Sequence, residues 1–349
     1  MITRVFRRRT RNQLQRLSAR LFAVALVALA TNLTVAFEAA AQKDNFTAGF
    51  LVQPIGARSV GHGEAGVADT TLGTEGLWWN PAGMARMRKR EFGVHHAQTF
   101  QGNTDFLGVA YPSKALGTIA ASVFLVNLGD QERTDSVGNT IGQLTNRYYV
   151  LSAGYATPVG RRFSAGLTAK RVLVRFLCSG CLQSDLNVNT IGSANALDLG
   201  AQYILSFKSP IVIGASVRNI GQDLQTKDAA QADPLPRVIQ VGVQGQVPLA
   251  VLKKNMATLD VRADVFTSPA YVTPSIRVGA DLSYKDLYTI RAGYKHIGPN
   301  DGTEGGLTAG VGLKYNSVQF DLARRFDATA NSGLGESGAP TYISLRYVW

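Results

Sequence analysis

Residues 305–327 read GGLTAGVGLKYNSVQFDLARRFD, and the phase of that stretch decides the fold. Leu307, Ala309, Val311, Leu313 and Tyr315 alternate with Thr308, Gly310, Gly312 and Lys314. After Asn316 the alternation resumes, with Val318, Phe320 and Leu322 set against Gln319, Asp321 and Ala323. Successive side chains of a strand point to opposite faces, so the stretch predicts two strands, each with one apolar and one polar face. Tyr288, Ile290, Ala292 and Tyr294 repeat the pattern, as do Leu259, Val261, Ala263 and Val265. A soluble sandwich alternates too, with its apolar face inward. Strand number and loop length separate the two architectures.

Outward from that pair the chain offers about fourteen candidate strands, each near the length a tilted strand needs to cross a bilayer. They start near Glu91, Thr104, Gly117, Asn146, Phe163, Asn195, Pro210, Arg237, Met256, Ser275, Tyr288, Gly305, Ser317 and Tyr342. Connections after even-numbered strands are short, as at Ser113 to Leu116 and at Asn316. Those after strands three, five, seven and thirteen are long: 128–145, 177–194, 219–236 and 327–340. Sorting of loops by parity is what an outer-membrane barrel shows, with short periplasmic turns and long surface loops. In the last strand Ile343, Leu345, Tyr347 and the terminal Trp349 share one face. An apolar strand ending in an aromatic resembles the signal read by barrel assembly machinery, which makes Tyr347 and Trp349 the assembly-signal candidates. Tyr111, Tyr155, Tyr203, Tyr284, Tyr294 and Tyr315 supply aromatics at other strand ends, as an interfacial girdle requires. The sequence therefore predicts an all-β protein, a transmembrane antiparallel barrel in the outer membrane of a diderm bacterium. Hydrocarbon leaves no partner for an open sheet edge, so such a barrel has to close.

The N-terminus reads as a targeting segment. Residues 1–20 carry seven arginines, Leu21 to Leu29 is an uncharged apolar run, and Ala39-Ala40-Ala41 supplies small residues for cleavage. That is the layout of a secretory signal peptide, expected to span 1–41. The segment holds seven of the 36 basic residues and one of the 24 acidic ones, so the rest of the chain carries +6 rather than +12. Half of the basic balance is targeting, and a nucleic-acid partner loses its main support.

Between leader and first strand lies the irregular stretch FLVQPIGARSVGHGEAGVADTTLGTEGLWWNPAGM, residues 50–84. Its Gly61-His62-Gly63-Glu64-Ala65-Gly66 matches the dinucleotide fingerprint G-x-G-x-x-G, yet Gln53 to Arg58 is no buried strand and no acid follows near position 81. Glycines there permit positive φ and close backbone approach instead. The stretch resembles the N-terminal signature of the PorV/PorQ family, a branch of the fold typified by the fatty-acid transporter FadL. Gly56, Ala57, Arg58, Trp78, Trp79, Asn80, Pro81, Ala82 and Gly83 carry the resemblance. It implies a hatch at 42–90 folded into the lumen of a barrel at 91–349.

Chemistry is sparse. The adjacent His95 and His96 point to opposite faces of a strand, and His62 and His296 add no ligand spacing, so no metal site is expected. Cys178 and Cys181 form a C-x-x-C at a loop tip of an exported chain, which favours a loop-closing disulfide. Nothing marks a nucleophile with its base, so neither an enzyme nor a cofactor is predicted. The PorV/PorQ resemblance implies protein secretion of the type IX kind, with secreted cargo or secretion-system components as partners at the long loops. The broader FadL resemblance implies the alternative, passage of hydrophobic small molecules gated at Asn80-Pro81-Ala82. Inward positions of strands eight to thirteen are mostly Gln, Arg, Asp, Lys, Thr and Gly, which suits a wet lumen. On strands three to seven Phe124, Val126, Leu173, Ile204 and Val212 are candidates for an apolar side of it.

Overall fold

The computed structural model describes residues 48–99, 102–179, 188–207, 209–225, 232–247, 256–268, 273–297, 305–327 and 339–349. The expected leader, 1–41, lies outside the described residues, as does the start of the expected hatch. Fourteen antiparallel strands form a closed barrel in which each pairs with its neighbours in sequence and the first pairs with the last. They are β1 (Glu91–Thr99), β2 (Gly102–Ser113), β3 (Gly117–Thr134), β4 (Thr140–Val159), β5 (Phe163–Cys178), β6 (Val188–Leu205) and β7 (Ile211–Gly221), followed by β8 (Val238–Val247), β9 (Ala257–Thr267), β10 (Ser275–Tyr284), β11 (Tyr288–His296), β12 (Gly306–Tyr315), β13 (Val318–Asp327) and β14 (Thr341–Val348). Closure runs from Glu91 opposite Val348 to Gln98 opposite Thr341. Beside that seam Arg90 and Trp349 exchange backbone hydrogen bonds of 3.0 Å, so the terminal residue fastens the wall at its short-turn end.

The alternation is expressed as a barrel turned outside-in relative to a soluble sandwich. Leu307, Val311, Leu313, Phe320, Leu322, Ile343 and Leu345 are exposed on the outer face, whereas Thr308, Asp321, Ser344 and Arg346 are buried within. Exposed tyrosines cluster where the short turns lie: Tyr111, Tyr155, Tyr203, Tyr284, Tyr315 and Tyr347 all end even-numbered strands. An amphipathic ring at that level has its apolar body in hydrocarbon and its hydroxyl in the interface.

The wall is uneven in height. Strands β3 to β6 run 16 to 20 residues, against 8 to 11 for β7 to β14. About ten residues suffice to cross the hydrocarbon, so the β3–β6 side stands above it. This corrects the expected loops at 177–194, where β5 runs on to Cys178 and β6 begins at Val188, and at 128–145. Asp130 to Thr134 pairs with Thr145 to Thr140 after a register shift beyond Asn127, and only residues 135–139 form the turn. Asp135 holds that turn, its Oδ1 accepting from Val137 N at 2.9 Å and Asn139 N at 2.8 Å. Above the bilayer both faces of a strand meet water, so the stretch lacks the apolar alternation that betrays strands lower down.

Residues 48–85 sit inside the wall as short helices and turns: a 3₁₀ turn at Gly49–Val52, a helix at Ala57–Gly61, a 3₁₀ turn at Gly73–Glu75, a helix at Gly76–Trp79 and a 3₁₀ turn at Pro81–Met84; residues 86–90 lead out to β1. Nearly every residue from Pro54 to Ala85 is buried. This is the hatch, and it fills the lumen.

Candidate functional site

The hatch is built around residues that the sequence singled out. Gly56 adopts φ +80°, and a Cβ there would meet the Glu75 carboxylate at 2.3 Å, so only glycine turns the chain into the helix beginning at Ala57. Ala57 N donates to Ser344 Oγ of β14 at 2.7 Å. Arg58 ties two parts of the hatch, pairing with Asp69 at 2.9 Å and donating to Thr71 O at 2.7 Å. The indoles of Trp78 and Trp79 donate to Gln53 O (3.0 Å) and Ile55 O (3.1 Å), holding the entering segment against the second helix. Asn80 caps the turn that Pro81 starts, accepting from Ala82 N at 3.0 Å and donating to Val67 O at 2.6 Å and to Ala201 O of β6 at 3.3 Å. The wall yields to it: at Gly200 a Cβ would stand 2.0 Å from Asn80 Oδ1. Gly83 lies equally tight, a Cβ meeting Asp69 O at 2.8 Å.

On the β9–β13 side the contact is ionic. The Gly61 to Gly66 segment joins no strand to a helix as the dinucleotide fingerprint requires; it carries His62 and Glu64 into a cluster of wall charges. Glu64, with φ +62°, faces Arg277 (3.2 Å), Lys295 (3.3 Å) and Arg325 (3.8 Å). Burial alone would raise its carboxyl, but Lys295, Arg277 and Arg325 outweigh it and hold the group at about 2. His62 Nδ1 lies 3.2 Å from Asp281 and 3.0 Å from Arg262, and burial together with Arg262 pushes the imidazole down to about 4, so it is neutral near pH 7. Arg262 bonds Asp281 at 2.7 Å, and Val67 N donates to Asp264 Oδ2 at 2.9 Å. Glu75 is the exception among hatch acids. Burial pushes it up to about 7 against the pull of Arg346, the Ser59 hydroxyl bond and Arg58, with His95 Nδ1 4.0 Å away.

On the β2–β6 side the contact is apolar. Phe124, Val126, Val150, Val172 and Val174 face inward and pack with Ala48, Phe50, Leu51 and Trp78 of the hatch. Phe50 stacks on Tyr148 with centroids 4.6 Å apart, and Trp78 tilts over Phe124 at 4.7 Å. The void left between Ile55, Phe106, Phe124 and Tyr342 is only about 10 Å³, room for one water at most. The chamber is filled by the chain's own side chains. At its base Lys170 pairs with Asp198 at 2.5 Å, its Nζ lies 4.9 Å from the Trp78 ring, and Arg218 donates to Trp78 O at 2.8 Å.

Of the residues expected on the apolar side, Phe124 and Val126 line this chamber and Val212 is buried lower on β7. Leu173 instead takes the outward phase between the inward Val172 and Val174, because both faces of the wall are apolar there and alternation cannot fix the phase. His95 is buried inside, its Nδ1 2.7 Å from Ser344 Oγ, while His96 faces out beside Asp105. Cys178 ends β5 and Cys181 lies outside the described residues. No group of three or more metal-binding side chains occurs among the described residues. The sequence pattern alone did not single out Glu64, Asp69 and Glu75 as partners of wall cations. Their signal was the run of inward Arg and Lys on β9–β13, which buried charges require to be matched.

No protein-family model and no curated protein matches the sequence. Solved structures do match the fold. The toluene transporter TbuX of Ralstonia pickettii aligns with a TM-score of 0.55 at 13 % identity, covering 86 % of this chain and 98 % of that one. The toluene transporter TodX of Pseudomonas putida gives 0.54 at 13 % identity, with 85 % and 97 % covered. A FadL homologue of Pseudomonas aeruginosa gives 0.52 at 12 % identity, with 85 % and 98 % covered. At such identities the likeness concerns the fold alone, which in this chain is a closed fourteen-strand antiparallel barrel.

Proposed function

We propose that the protein lies in the outer membrane and admits small hydrophobic molecules, which bind in the apolar chamber of β2–β6 and pass when the hatch shifts. The observation that carries this reading is Phe50 stacked on Tyr148 within that chamber. A phenylalanine side chain is a tethered benzyl group, so the site already holds a ligand-like ring. A monoaromatic molecule of that size would take its place at little change in buried area. Largely apolar sites with a few polar groups at one end are the usual form of small-molecule pockets, and here Lys170, Asp198 and Arg218 mark that end. The structural neighbours named as toluene transporters support the same substrate class. Catalysis plays no part in this reading.

The PorV/PorQ resemblance rests on the hatch motif, which transport and secretion both use. Of the connections 128–145, 177–194 and 219–236 that would meet secreted cargo, the first is strand apart from the turn at 135–139, and 180–187 and 226–231 lie outside the described residues. The apolar chamber favours transport.

The test is a titration of the purified protein with toluene and with a long-chain fatty acid, followed by intrinsic tryptophan fluorescence in a Trp79→Phe/Trp349→Phe background, where Trp78 alone reports, and by uptake into proteoliposomes. Phe50→Ala is expected to tighten binding of the monoaromatic, since the ligand no longer competes with a tethered ring. If neither the parent nor Phe50→Ala binds either compound saturably, the proposal fails.

A further inference from the structure

The outer face of β4 and β5 carries a second feature, independent of the lumen. Arg147 and Arg175 stand directly opposite one another across the β4–β5 ladder, both exposed on the outside of the wall. Like charges on directly opposed strand positions, about 5 Å apart at Cβ, repel. Arg171, four residues lower on β5, also faces out. Its guanidinium is fixed by neutral acceptors of β6, Asn195 Oδ1 at 3.0 Å and Ser193 Oγ at 2.9 Å. Asn195 is held in turn by Gln222 at 3.1 Å. Among the described residues no carboxylate forms an ion pair with any of the three arginines.

Their height is informative. At about 3.3 Å per residue and a tilt near 45°, each residue climbs roughly 2.3 Å. Arg171 then stands about 19 Å above Phe163, and Arg175 about 28 Å, against an apolar band about 25 Å tall. Phe163 lies at the short-turn end, so the arginines sit at the boundary of the leaflet that faces the long loops. Beneath Arg171 the wall is dented. Ala121, Ala153 and Ala169 lie side by side on β3, β4 and β5, flanked by Leu151 and Leu197, and they floor a groove of about 840 Å³. Cations at the rim of an apolar furrow match an anionic head joined to acyl chains.

We propose that this face docks a phosphorylated glycolipid of the outer leaflet, with one phosphate at Arg171, a second at the Arg147–Arg175 pair, and an acyl chain in the alanine groove. The backbone separation of the two cationic points, about 13 Å at four residues of strand rise, calls for two phosphates on one head rather than one. Arginine suits them, because its planar fork binds phosphate in two-point fashion.

Full-length protein in lipid nanodiscs, delipidated in detergent beforehand, would be offered bis-phosphorylated lipid A, its monophosphoryl form and phosphatidylglycerol, and retained lipid counted by native mass spectrometry. We expect preferential retention of the bis-phosphorylated lipid and at least about a tenfold loss in Arg171→Ala/Arg175→Ala, as for two charge-assisted contacts. Arg324→Ala, an exposed arginine on β13, should retain it fully. Equal retention by parent and double variant would overturn the proposal. So would phosphatidylglycerol held as well as lipid A, or a monophosphoryl form held as well as the bis-phosphorylated one. Those lipid comparisons use the parent protein alone and decide the matter even if the double variant fails to fold.

Discussion

Replacing Glu64 by Gln tests whether the ionic side of the lumen anchors the hatch. The side chain keeps its shape but loses the charge that faces Arg277, Lys295 and Arg325 at 3.2, 3.3 and 3.8 Å. All three cations stay in place, with Arg277 only 1 % and Lys295 7 % exposed at their side chains. Removing one partner of a buried pair leaves uncompensated charge and costs about 3–5 kcal/mol. The wall's ladders are untouched, so the loss falls on the seating of residues 57–68. At about 1.4 kcal/mol per factor of ten, amide protection in that segment should fall by about two to four orders of magnitude by hydrogen exchange, while the amides of β9–β13 keep theirs. Ion conductance of the reconstituted barrel should rise in parallel. Adding Arg277→Met should restore part of the protection, since the surplus charge shrinks. Unchanged protection at 57–68, or a loss spread equally over the strands, would refute the idea that Glu64 anchors the hatch.

Glu75 gives a pH signature. Its folded value of about 7 lies above its ordinary 4.5, so its contribution to hatch stability is full below about pH 4.5 and is lost as pH rises through about 7, a swing of about 3 kcal/mol. His62, held at about 4 against its ordinary 6.5, has the opposite slope, with stability gained as pH rises from about 4 to 6.5. The two nearly offset each other in the parent, and Glu75→Gln should leave hatch protection rising with pH across that window. Gly200→Ala puts a Cβ 2.0 Å from Asn80 Oδ1, and should raise hatch exchange and ligand entry together, read by proteoliposome uptake, without lowering the barrel's heat-modifiable gel mobility. Deleting Trp349 removes both backbone bonds to Arg90 at the closing seam, and the yield of assembled barrel in the outer membrane should drop on the same gel. The expected Cys178–Cys181 disulfide should leave neither thiol open to alkylation until the unfolded protein is reduced.

What could be read from the chain divides along physical lines. The strands of 288–296 and 305–327 were legible because lipid outside and charge inside impose opposite chemistry on alternate residues. Where water bathes both faces, as above Asn127 on β3, nothing distinguishes a strand from a polar loop. Where both faces are apolar, as around Leu173, strandedness is plain and phase is not. The hatch motif was visible as glycine and Asn-Pro punctuation, but its purpose is long-range: Gly56 makes room for Glu75, and Gly200 of the wall makes room for Asn80. Glu64 meets its cations more than two hundred residues further along the chain, and local reading has no access to such pairing.

The uneven lumen also assigns different roles to the two sides of the hatch. On the β9–β13 side, moving Glu64 or Asp69 away from Arg277, Lys295 and Arg262 would strand buried charges, several kcal/mol apiece, with no hydrophobic ligand able to replace them. On the β2–β6 side, withdrawing Phe50 and Leu51 exposes apolar wall that an entering hydrocarbon covers again, so the net cost is close to the difference between two buried areas, at about 25 cal/mol per Å². A hydrophobic substrate can therefore supply the energy to displace the Phe50 end but not the Glu64 end. On the transport reading the ionic side is the pivot and the Phe50 end is the part that swings. A cross-link test follows from it: tying Ala57 to Ser344 through introduced cysteines, at the point where they already hydrogen-bond, should leave uptake near the parent level, whereas tying Phe50 to Tyr148 should abolish it until reduction. Loss of uptake from the Ala57–Ser344 link would place the moving part at the Ala57–Gly61 helix rather than at Phe50 and reverse the assignment.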